Sequence, residues 1–392
     1  MDAFLADWAI LLVRLIHLIT GIAWIGASFY FVWLDNHLEK PESQDLKNKG
    51  VDGELWAVHG GGFYNPQKYM IAPSSLPKNL HWFYWESYST WLSGVGLFVL
   101  VYLLNAGTML IDPQTADIAP SSAIMISISL LFGSWLIYDV VCRAFRQKPV
   151  ILAALTCALV VAAAWLSGTY LAPRASFLIT GAAMATIMTA NVFFWIIPGQ
   201  RKVIASMRAG EVPDPIHGQT GKQRSVHNTY FTVPVLIAMI SNHFPSIYMA
   251  PRSWLVLIAL MASGAVIRHY FVARHKGSQK AVHILIGLVF AGIAIYLSRP
   301  EPIAGTAAGQ VSADFESVRQ IIKNRCTQCH AEQPVMLSAA PKNITLETTE
   351  SIQRYGQLIY TQVVIQKTMP PGNITEITDV ERATIKSWYE SR

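Results

Sequence analysis

The sequence predicts an all-α protein: a polytopic membrane bundle of eight spanning helices, followed by a small helical domain at the C-terminal end. Three observations predict it. The 392 residues are 52% hydrophobic and only 14% charged, against about a quarter charged in soluble proteins. Eight apolar stretches approach the 20 or so residues that one crossing requires. After the last of them comes a polar linker and then a return to amphipathic patterning.

The eight stretches cover residues 8–34, 82–104, 122–142, 150–168, 177–197, 228–243, 253–273 and 281–298. The opening MDAFLADWAILL has no basic stretch before its apolar run and no small-residue cleavage site after it, so the first span is expected to be retained. The net charge of +6 does not point to nucleic acid, because the basic residues cluster in alternate short loops. Residues 35–80, 143–149, 198–227 and 274–280 carry five, three, five and three Lys or Arg; residues 1–7, 105–121, 168–176 and 244–252 carry none, none, one and one. By the positive-inside rule this places the N-terminus and everything after residue 298 outside the cytoplasm.

The domain boundaries follow from composition. Residues 1–298 form the membrane domain, and 299–312 (RPEPIAGTAAGQVS) read as a linker rich in Pro, Gly and small residues. Residues 313–392 carry amphipathic helices expected near 314–325, 348–366 and 379–390. Cys326, Cys329 and His330 spell C-x-x-C-H, the attachment signature of a c-type haem. Two thiols one turn apart reach the two vinyl groups, and the histidine falls beneath the ring as an iron ligand. A zinc site would need a second ligand pair, and none follows. Met369, in KTMPPGN, is the expected sixth ligand, since a thioether favours electron transfer; Met336 lies too close to His330 to pass round the haem edge. The domain therefore reads as a small class I-type cytochrome c, an electron carrier with no open site for primary chemistry. Cys142 and Cys157 lie in or beside apolar runs and read as small hydrophobes.

Ionisable residues inside spans are costly and mark function by default. On the outer half lie Arg14 and His17, one turn apart, with Asn242 and His243; on the inner half lie His81, Glu86, Asp139, Asn191, His227, Arg268, His269 and His283. One use of the two levels is one or two b haems held by histidines such as His17, His243 and His283; the other is plain interfacial hydrogen bonding. The long loop 35–80 contains HGGGFYNPQKY, where Gly61 and Gly62 allow close backbone approach and Phe63 and Tyr64 offer ring stacking for a substrate; a Gly-rich run also suits a turn.

Three segments together, RLIHLITGIAWIGASFYFVWLDNHL (14–38), ELWAVHGGGFYNPQKY (54–69) and LPKNLHWFYWESYSTWLSG (76–94), resemble the bacterial membrane-bound urate oxidases, or urate hydroxylases, which join a membrane domain to a C-terminal cytochrome c. The resemblance implies oxidation of urate to 5-hydroxyisourate with water as the oxygen source. Electrons would leave through the tethered haem to a soluble cytochrome c or a terminal oxidase, without peroxide, at the bacterial inner membrane. Glu86, Asp139, Arg268 and His269 are the expected catalytic groups, chosen by location. A membrane dehydrogenase for quinol or another small reductant, and a haem-handling or transport protein, remain alternatives at this point.

Overall fold

The protein was analysed as a computed structural model, which describes residues 3–69, 73, 76–275, 280–299, 314–337 and 340–391. It is 72% helical. Each apolar stretch forms a helix. The first, α1, is Ala3–His37. Trp85–Leu97 (α2) continues through a π-helical turn, Phe98–Leu103. Pro120–Ala144 (α3), Pro149–Tyr170 (α4) and Pro173–Ala190 (α5) all begin with proline, whose fixed φ and missing N–H suit a first helical position. A π-helical turn, Asn191–Ile196, joins α5 to Ile197–Arg208 (α6). Pro215–Ile240 (α7) is capped by the Asp214 carboxylate, and Ser253–His275 (α8) and Val282–Leu297 (α9) complete the bundle.

Among the described residues, five helices are long and apolar enough to cross a membrane: Phe4–His37, Pro120–Ala144, Pro149–Tyr170, the continuous Pro173–Arg208 and Ser253–Arg274. The remaining three expected spans are helical but differ in kind. The α9 helix is apolar and shorter, α2 is interrupted by its π turn, and α7 carries polar residues through its first half. Of the polar residues of α7, Arg224, Asn228 and Thr232 turn inward and are buried.

Burial orders the helices. In α5 and its continuation, 72% of the most apolar window is buried, while none of the α1 window is. Leu11, Leu15, Leu18, Ile19 and Ile22 of α1 all face outward, which suits hydrocarbon surroundings. One apolar cluster joins Tyr138, Phe177, Met184, Phe231, Leu257 and Met261 across α3, α5, α7 and α8. A second joins Phe98, Leu110, Leu131, Leu171 and Ile179 at the opposite end from the basic loops.

The all-α expectation needs one correction. In the long loop, Val51–Glu54 pairs antiparallel with Gln67–Tyr69, and Ala57–His59 pairs with Gly62–Tyr64. Gly60 and Gly61 have φ of 58° and 81°, the two left-handed residues of a tight hairpin turn. The glycines are thus used to reverse the chain.

The C-terminal residues fold as a separate helical unit of Phe315–Arg325 (α10), Thr349–Arg354 (α11) and Asp379–Glu390 (α12) around Val318, Ile322, Ile352, Val363, Ile377, Ile385 and Trp388. The predicted linker, apart from Arg299, lies outside the described residues. The unit rests on the membrane bundle at the segment after α2: a Cβ on Gly372 would stand 2.6 Å from the Ile111 carbonyl oxygen and 3.1 Å from that of Thr108. This segment belongs to the loops poor in Lys and Arg, the side on which the charge count also places everything after residue 298.

Candidate functional site

The interior of the bundle holds a connected polar network at the end nearer the basic loops. Arg224, 1% exposed, donates from Nη2 to Asp139 Oδ1 at 2.8 Å and from Nη1 to Asn191 Oδ1 at 3.2 Å. Asp139 also accepts from Trp195 Nε1 at 2.6 Å and pairs with Arg143. Asn191 donates to the Tyr138 hydroxyl at 3.1 Å and to Asn228 at 2.9 Å, and Asn228 donates to the Met188 carbonyl at 3.0 Å. The Tyr138 hydroxyl in turn hydrogen-bonds His227 Nδ1 at 2.7 Å. The Arg224 guanidinium lies over the rings of Tyr138 and Trp195, 5.0 and 4.9 Å from their centroids.

Local sequence explains the arrangement. Arg224 and Asn228 are four residues apart on α7 and so share a face. Asn191 and Trp195 come from the π-helical turn between α5 and α6, the kind of loosened turn that recurs at functional positions. A lone buried charge would be expensive; here nearly every polar atom has a partner, which is how such a network is tolerated. Each Asp139 oxygen has a donor, so Asp139 ties Arg224 and Arg143 to α3.

Arg268 and Glu86 differ in this respect. Arg268 is 8% exposed, its guanidinium lies 4.0 Å from the Phe29 ring centroid, and Nε and Nη2 have no hydrogen-bond partner among the described residues. Glu86 Oε2 is likewise buried without a partner there. Three N–H bonds of Arg268 and one Glu86 carboxylate oxygen are therefore open to a polar ligand. The neighbouring His269 bonds the Tyr230 hydroxyl at 2.8 Å, and its ring meets that of His283 at 4.8 Å.

The other predicted histidines are not gathered with these. His17 is tied to α2 through Thr90 O at 2.9 Å and Ser93 Oγ at 3.1 Å. His243 is exposed in the short helix Ser241–His243. Among the described residues no three His, Cys, Asp or Glu side chains form a metal cluster. Phe63 and Tyr64 stand exposed on the hairpin with Gly61 and Gly62.

At the basic end, a cavity of about 620 Å³ opens between the segment before α2 and the face of α6. Lys78, Asn79, His81 and Trp82 line one wall, and Arg201 and Arg208 the other. Of these residues, the sequence had marked His81 alone.

In the C-terminal unit, Cys326 and Cys329 follow α10 directly, with His330 next in the chain. Cys326 and Met369 pack against the same apolar cluster. His330 Nδ1 donates to the Ile344 carbonyl at 2.8 Å, which orients the ring and leaves Nε2 free to bind a metal. Arg382 donates to the carbonyls of Met369, at 3.1 Å, and Val363, which fixes the loop bearing Met369. Cys326 and Met369 at one apolar core, with Cys329 and the His330 imidazole next in the chain and its Nδ1 satisfied, are a donor set that suits a covalently bound haem.

No curated protein and no solved structure matches the chain. A family model described as urate oxidase N-terminal matches residues 3–298, the whole helical bundle with its polar network and basic cavity. By that match, which spans most of its length, the chain belongs to the urate oxidase N-terminal family.

Proposed function

We propose that the protein oxidises urate and water to 5-hydroxyisourate, two protons and two electrons, at the bacterial inner membrane. The family match over residues 3–298 carries this reading. A covalent haem held by Cys326, Cys329, His330 and Met369 would supply one-electron transport away from the membrane domain, toward a soluble cytochrome c or terminal oxidase, so that no peroxide forms. The C-terminal unit then belongs on the outer face, and the basic loops on the cytoplasmic face.

Within the bundle, the free N–H groups of Arg268 suit the carbonyls of an anionic purine, since a guanidinium donates in a fixed fork. Glu86 offers a hydrogen-bond acceptor to a ring N–H. His269, held by Tyr230, is the candidate base, because a neutral imidazole carries a ring nitrogen that can accept a proton. Asp139 is a positioning residue that holds Arg224 over Tyr138 and Trp195. The test uses the full chain in lipid nanodiscs. Urate absorbance should bleach while the c-type haem is reduced, with no peroxide detected. A haem that stays oxidised with urate, or is reduced by quinol alone, overturns the proposal.

A further inference from the structure

The cavity at the basic end has a composition that selects its occupant. On α6, Arg201, Ile204, Ala205 and Arg208 fall at i, i+3, i+4 and i+7, one stripe of the helix, so both guanidinium groups face the same opening. Lys78 and His81 face them from the segment before α2, and no carboxylate lines the space. None of Lys78, Arg201 and Arg208 makes an ion pair with another described residue. Three cations held together without counter-charge leave a positive field that attracts anions.

The remaining lining groups narrow the choice. Trp82 presents an indole and Asn79 an amide that both donates and accepts. Stacking, a guanidinium fork and a two-way amide together match a flat heterocycle with adjacent carbonyl and N–H edges. Ring contacts run from α2 to the buried network. The Tyr88 ring of α2 meets Phe193 at 5.4 Å, within the π-helical turn that supplies Asn191 and Trp195 to the buried network and leads directly into α6 with its Arg201.

We propose that this cavity captures the urate monoanion from the aqueous phase on the basic side of the membrane and is its entry site. The proposal rests on the function given above, and the experiment separates the two. Full-length protein in nanodiscs of uncharged phosphatidylcholine is first reduced with dithionite, so that bound urate is not consumed, and radiolabelled urate binding is measured at equilibrium. Binding by the unaltered chain, weakened about tenfold or more by Arg201→Gln and by Arg208→Gln and largely restored by Arg201→Lys, is the expected result. Equal binding by the unaltered chain and both glutamine variants overturns the site while leaving the function standing. Failure of the unaltered chain both to bind and to oxidise urate overturns the function itself. If phosphatidylglycerol in the nanodisc displaces urate and the glutamine substitutions remove that displacement without weakening urate binding, the cavity is a lipid headgroup site and the proposal falls.

Discussion

Arg224 and Asp139, from helices α7 and α3, meet at 2.8 Å with their side chains 1% and 6% exposed. A buried pair of this kind is sensitive to the loss of one member, because the other is left charged and unmatched. Removing one partner costs about 3–5 kcal/mol, whereas an apolar replacement of both costs far less. Arg224→Met and Asp139→Leu should each lower the thermal midpoint of the detergent-solubilised protein sharply, and the double substitution should recover part of the loss. Circular dichroism melts of the three variants check this.

The two proposed iron ligands should separate by readout. His330→Ala should abolish haem reduction by urate. Met369→Leu should retain the covalently attached haem, with its c-type absorption bands, yet shift its potential, because the thioether alone is lost. Pyridine haemochrome spectra and potentiometric titration distinguish the outcomes. Equal potentials in Met369→Leu and the unaltered chain would remove Met369 from the iron.

Gly372 is a junction residue. Its φ of 57° disfavours a side chain, and a Cβ there would press on the Ile111 carbonyl. Gly372→Val should loosen the C-terminal unit from the membrane bundle. Hydrogen exchange of full-length protein should then rise at residues 105–112 and 370–374, while α3 and α5 keep their protection.

Glu381 should give the C-terminal unit an acid-sensitive component. Burial raises its pKa, but hydrogen bonds from the Thr378 backbone and side chain and from Arg325, at 3.0 Å, outweigh burial and hold the carboxyl below its ordinary value of 4.5. A depressed folded-state pKa stabilises fully above the unfolded value and is lost as pH falls through the folded one. The stability of this unit should therefore decline below about pH 4.5, and Glu381→Gln should be less stable at neutral pH and flatter across that window. Acid unfolding followed at Trp388 checks it.

The eight helices were legible because an apolar run of fixed length is a strong signal. The haem-binding reading rested on one contiguous pentapeptide, CTQCH. The polar network was half hidden. Asp139, Asn191 and His227 stand out as polar residues in or beside apolar spans, but Arg224 and Asn228 precede and open the sixth apolar run, where Arg224 reads as one more loop cation. The missed signal was the helix start. Asp214 followed by Pro215 is an N-cap and first-turn pair, and extending α7 from there places Arg224, Asn228 and Thr232 on one inward stripe. The wall of the basic cavity was concealed differently, since α6 continues a membrane helix through a π turn and its two arginines count as ordinary positive-inside charge.

The continuous helix Pro173–Arg208 has 36 residues, about 54 Å at the usual rise. The hydrocarbon layer is about 30 Å thick, so the rod overreaches it, and its arginine-bearing end stands in water while its middle carries Asn191 and Trp195. The aqueous mouth and the sealed interior are thus built on one continuous helix, joined at the π turn that carries Asn191 and Trp195.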